Sequence, residues 1–116
     1  MNVRELIDDL EECNEDATVS CVMQSEKDAS LYHTVVIRTE LEEESVNIIV
    51  MDISDKGITV RKLKNELSAY KATLPVCIKV NKLKPVRFPY QINGINDKGD
   101  VIYLKLPTLM AGLFKE

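Results

Sequence analysis

The sequence predicts an α+β protein made of two tandem helix-plus-three-strand units related by internal duplication, with a largely antiparallel sheet and the helices on one face. Three observations predict it. The stretch from Val3 to Leu10 and the stretch from Val60 to Leu67 share their valine, arginine and both leucines at a constant offset of 57, and the same offset carries Val19 onto Val76. Repeats of this length set the architecture before any local structure does. Each half then runs in the same order: a segment of helical apolar spacing, an alternating strand, a polar loop, and two β-rich runs joined by a turn. Finally, each unit has one apolar helix face and one apolar sheet face but only about 55 residues, which is marginal alone. Two units sharing a core form a single domain over residues 1–116, with repeats at 1–57 and 58–116. The expected sheet is continuous and six-stranded; two packed three-stranded sheets are the alternative.

In the first unit, Val3, Leu6, Ile7, Leu10 and Cys13 line one face of a helix over residues 3–13. Asn2 is its N-cap, with Glu5 three residues on completing a capping box. A strand follows over 17–23, with Val19, Cys21 and Met23 on one side. Residues 24–30 form a loop, 33–39 and 46–53 form β-branched strands, and 40–45 form the turn between them. In the second unit Thr59 caps a helix over 60–70, with Val60, Leu63, Leu67 and Tyr70 facing inward. Pro75 introduces a strand at 76–80, residues 81–89 form a loop, and 90–95 with 101–106 form a hairpin. Gly99 suits the turn at 96–99 because it takes positive φ cheaply. A short closing helix is expected at 109–114. Gly57 turns the chain between the units.

The 116 residues are 45% apolar and 29% charged, ordinary values for a globular domain. No apolar run approaches the ~20 residues that span a bilayer, and the start lacks a basic stretch leading into an apolar core. The expected location is cytoplasmic, without membrane contact. Three cysteines, an odd count without CxxC spacing, point to free buried thiols in a reducing compartment.

Charge divides between the halves. Residues 1–57 carry four basic and fifteen acidic side chains, a net of −11, and residues 58–116 carry eleven basic and four acidic, a net of +7. The acidic candidates for a partner face are Asp8, Asp9, Glu11 and Glu12 on the first helix and Glu42, Glu43 and Glu44 in the first turn. The basic candidates are Lys79, Lys82, Lys84 and Arg87, beside Phe88 and Tyr90. Such asymmetry fits charged partners at two faces, or attraction between the halves. Pairing of opposite halves would also give a closed antiparallel homodimer.

Motifs for chemistry are sparse. His33 is the single histidine, and the four glycines form neither a GxGxxG nor a phosphate loop. Asp52 and Asp55 lack the spacing of a calcium loop. Paired carboxylates on wet faces need no catalytic role, because acid–base work requires environments that drive two pKa values apart. No enzyme activity, catalytic residue, metal or cofactor is expected. A nucleic-acid site on the basic second repeat is the alternative to a protein partner. It ranks lower, because a chain with pI near 5 repels a phosphate backbone elsewhere.

The opening residues Val3, Glu5, Leu6, Ile7 and Leu10, followed by Asp16, Ala17 and Val19, resemble a start found among short phage and prophage proteins of unknown function, M-T-V-x-E-L-I, then a leucine, then D-A-x-V. The likeness covers about twenty residues. It implies a mobile-element protein, of a kind that binds and blocks host defence or nucleic-acid-handling machinery. The expectation is therefore a non-catalytic binding protein acting through protein–protein contacts.

Overall fold

The computed structural model describes residues 1–24, 30–52, 57–80 and 90–106. Among these residues it is α+β, with two helices and one mixed sheet. The elements are α1 (Val3–Glu11), β1 (Thr18–Gln24), β2 (Leu31–Glu42), β3 (Ser45–Asp52), α2 (Val60–Leu67), β4 (Val76–Val80), β5 (Tyr90–Gln91), β6 (Gly94–Asp97) and β7 (Val101–Lys105).

Both helices begin where their caps require. Asn2 Oδ1 accepts from the Glu5 N–H at 2.9 Å while Glu5 Oε1 accepts from the Asn2 N–H at 3.0 Å, a complete capping box. Thr59 Oγ1 accepts from the Lys62 N–H. The apolar stripes are buried as their spacing dictates: Leu6, Leu10, Leu63 and Leu67 are each fully inaccessible and belong to one core. Both helices end earlier than expected, at Glu11 and Leu67.

The sheet order is β5-β4-β3-β2-β1-β7-β6. Four pairings are antiparallel, but β3 with β4 and β1 with β7 are parallel. The sheet is thus mixed, where a largely antiparallel one was expected. The second unit splits, with β4 against β3 and β7 against β1. A parallel neighbour needs a crossover of a dozen or more residues, and the segment carrying α2 supplies it between β3 and β4.

The two ends of the order, β5 and β6, are separated in sequence by Ile92 and Asn93 alone. Three residue steps span about 11 Å at most, so the two ends of the sheet lie side by side. The sheet rolls up until the stretch 90–97 serves both, giving six strand positions around a barrel. Alternate residues point inward: Val19, Cys21 and Met23 on β1, Val46, Ile48 and Val50 on β3, Val76 and Ile78 on β4, Ile102 and Leu104 on β7. They merge with both helix stripes, so both helices serve one core. Ser20, Val35, Asn47 and Ile49 alternate with these residues and are buried too.

Hydrogen bonds recur between the halves. The Val3 N–H donates to Leu74 O and the Val60 N–H to Ala17 O; Arg4 donates to Ala72 O and Arg61 to Glu15 O; Val76 donates to Met1 O and Val19 to Ile58 O. In every pair the two bonds are related by the offset of 57. Each helix N-terminus is thus fastened to the turn before the other unit's first strand. Strand register recurs with a one-residue slip, Ser20 opposite Val35 and Cys77 opposite Gln91 at offsets of 57 and 56, and Thr39 opposite Ile48 and Ile95 opposite Leu104 at an offset of 56.

Two turns differ from expectation. β2 runs on to Glu42, leaving Glu43 and Glu44 as a two-residue turn, with Glu43 at φ 51°. Glutamates are poor strand formers, but here Leu41 pairs with Val46, and the Arg38 guanidinium bonds Glu40 at 3.2 Å. The second hairpin also turns later than expected, since Asn96 and Asp97 belong to β6 and only residues 98–100 lie between the strands, but Gly99 does take a positive φ, 88°. Gly57 is needed for space and not for an unusual φ: a Cβ there would lie 2.8 Å from Val35 Cβ. The expected loop at 81–89 and helix at 109–114 lie outside the described residues.

Candidate functional site

The acidic residues picked out by sequence are on the surface. Asp8, Asp9 and Glu11 line the wet side of α1, with Glu12 as its C-cap, and Glu42, Glu43 and Glu44 form the tip of the β2–β3 hairpin; all seven are exposed. Among the described residues, Asp8, Asp9, Glu12, Glu43 and Glu44 take part in no ion pair.

Much of the remaining charge is used between the halves. Lys64, on α2, reaches Glu15 at 3.2 Å and Glu11 at 3.9 Å, and Arg61 reaches Glu15 and Asp16 at 3.3 Å each. The hydrogen bond from Lys64, then that from Arg61, holds the Glu15 carboxyl below its ordinary range. Exposed pairs like these contribute little individually. Their effect is to neutralise part of the acid beside α1 with base from α2.

Glu42 was expected in the turn and instead ends β2. Its carboxylate takes the Asn47 amide N–H and the Lys79 ammonium, the latter at 3.2 Å. Lys79 is the one member of the expected basic patch in the described residues, and it lies over the sheet bonded to an acid of the first unit. Lys82, Lys84 and Arg87 lie outside the described residues. Among the described residues the basic candidates are thus represented by Lys79 alone.

Sequence reading missed two residues here. Asn47 is buried on β3, and among the described residues its Oδ1 has no hydrogen-bond donor. Glu66 sits where α2 crosses β2. Its Oε1 accepts from the Thr39 N–H and Thr39 Oγ1, both at 2.9 Å, and Thr39 Oγ1 is 3.0 Å from the Tyr70 hydroxyl. The signal for Glu66 was present, since it matches Asp9 at offset 57. Nothing local distinguishes Asn47 from a turn asparagine.

The thiols are set by burial. Cys21 is pushed up to about 12 by desolvation. Cys13 is raised by burial, with Asp97 adding to it, and Cys77 is raised by burial against an opposing pull from the terminal ammonium. His33 meets Tyr103 edge to face, with centroids 6.1 Å apart. Among the described residues no three His, Cys, Asp or Glu gather as a metal cluster, and no helix is long and apolar enough to cross a membrane.

The architecture defines a small α+β barrel of mixed strand direction with an acidic hairpin and an acidic helix face. No protein-family model matches the chain, and no match was found among the curated proteins or the solved structures.

Proposed function

We propose that this chain is a non-catalytic binding protein that acts through protein–protein contacts, presenting its acidic hairpin tip and the wet face of α1 to a basic partner. The carrying observation is the division of charge. Arg61, Lys64 and Lys79 are taken up by acids of the first unit, while Asp8, Asp9, Glu12, Glu43 and Glu44 have no ion pair among the described residues. Negative charge without an internal partner steers association with a positive one and sets its salt dependence. The phage-like start supports a mobile-element origin and a host target in defence or nucleic-acid handling. The nucleic-acid alternative ranks lower because Lys79 is bonded to Glu42. We also infer that the halves arose by internal duplication, which the recurring hydrogen bonds at offset 57 support.

The test is capture of partners from bacterial lysate at low and high salt, using the wild type and a variant with Glu43→Gln and Glu44→Gln together with Asp8→Asn and Asp9→Asn. A basic protein retained at low salt and lost with the variant is expected. Equal capture by both proteins, or retention of nucleic acid alone, refutes the reading.

A further inference from the structure

We propose that the base of the acidic hairpin is a receptor for an arginine side chain of the basic partner, and that Lys79 occupies this place in the free protein. The inference rests on the reading of the chain as a binder of basic proteins and names the group it recognises.

The register places Glu40, Asn47 and Cys77 in one row across β2, β3 and β4, with side chains on the same side of the sheet. Glu42 and Ser45 form the next row toward the tip, and Ile49 and Lys79 the row behind. Asn47 is 1% exposed. Its amide N–H is spent on Glu42, while among the described residues its carbonyl oxygen is left with no donor. Leaving a buried acceptor unsatisfied costs about 1–3 kcal/mol, and such an atom in a native protein calls for an explanation. Here it lies one side chain away from a carboxylate that already attracts a cation.

The chemistry of the missing donor follows from the acceptors present. A group filling the place must carry positive charge for Glu42 and a further N–H for Asn47 Oδ1. An ammonium on a tether is already there, and it serves Glu42 while leaving Oδ1 unfilled. A guanidinium is planar, carries five N–H donors in a fixed fork and is less strongly hydrated than an ammonium. It can give one N–H to the carboxylate and another to the amide oxygen. Lys79 is the neighbour free to yield, since its head is held by Glu42, itself 56% exposed. The exposed Glu40, Glu43 and Glu44 raise the local concentration of cations around this place.

The test uses the full chain and two peptides of equal charge, hexa-arginine and hexa-lysine, with affinities read by calorimetry at low and moderate salt. In the wild type, hexa-arginine is expected to bind several-fold more tightly than hexa-lysine. Lys79→Met keeps the apolar stem and removes the resident cation. General electrostatics would tighten both peptides alike, whereas an emptied arginine receptor raises the preference for arginine over lysine, by roughly 3-fold or more. Asn47→Ala is expected to abolish the preference, with circular dichroism checking that the variant folds; if it does not, the Lys79→Met preference decides alone. Equal binding of the two peptides in both the wild type and Lys79→Met overturns the receptor. If Glu43→Gln and Glu44→Gln still weaken both peptides in that case, the acidic docking face stands without it. Absence of binding by either peptide at low salt overturns both.

Discussion

Removing the Glu66 carboxylate tests how the helix layer is tied to the barrel. β2 changes register between Val36 and Arg38, and its stretch opposite β1 ends at Val35 in the observed pairing. Beyond that point the Thr39 N–H has no strand to receive it, and Glu66 from α2 takes its place. The same oxygen accepts the Thr39 hydroxyl, which in turn meets Tyr70. Hydrogen bonds to a charged group contribute about 1.5–3 kcal/mol each, and partial exposure brings the pair to the lower end. Glu66→Ala should therefore cost about 2–3 kcal/mol. Glu66→Gln keeps an accepting oxygen and loses only the charge, so it should cost about 1 kcal/mol. Urea titration with an unchanged m-value is the assay, and a fall of roughly 10 °C in the melting temperature should accompany the alanine variant. If both variants lie within about 0.5 kcal/mol of the wild type, the contact is a surface accident and the helix is held by its apolar stripe alone.

Leu10→Ala and Leu67→Ala, at fully buried and equivalent positions, should each cost about 2–5 kcal/mol in the same urea titration; a loss under about 1 kcal/mol at both would mean that the core is not where the helix stripes place it. Because α1 and α2 share one core, the double variant should depart measurably from additivity. Cys21, with its thiol raised from 9.0 to about 12, binds its proton more tightly folded than unfolded. Its contribution to stability is intact below about pH 9 and is lost as pH rises from there toward 12. Cys21→Ala should flatten that decline in stability measured across this window, and an identical slope in the variant would assign the decline to other groups.

The parts of the fold visible in sequence are those fixed by near neighbours. A 3.6-residue apolar spacing with Asn2 or Thr59 ahead of it specifies a capped helix wherever the chain later packs it. The parallel pairings are different in kind. Whether β4 lies beside β5 alone or also beside β3 depends on which strand edges the hairpins leave open, and no residue spacing encodes that. The glutamates at the end of β2 read as a turn because their intrinsic strand preference is weak, yet cross-strand partners decide. For the same reason the acidic surface was legible and its internal partners were not. Exposure follows from residue type and helical phase, while the reach of Lys64 to Glu15 or of Lys79 to Glu42 joins residues 49 and 37 positions apart.

Among the described residues, a rolled sheet whose two ends share the stretch 90–97 offers no long row of free backbone groups for another chain to add to, a hazard that open sheets must guard against with charges or prolines. The same closure has a weakest line. Among the described residues, β5 meets β4 through two residue pairs, whereas β2 meets β3 through eight. Parting that short seam unrolls the molecule without first breaking the long hairpin. Excursions of this kind expose interior amides to solvent in an order. Exchange should run fastest along Cys77 and Gln91, and slowest in the middle of β3, where Ile48 and Val50 are bonded on both sides.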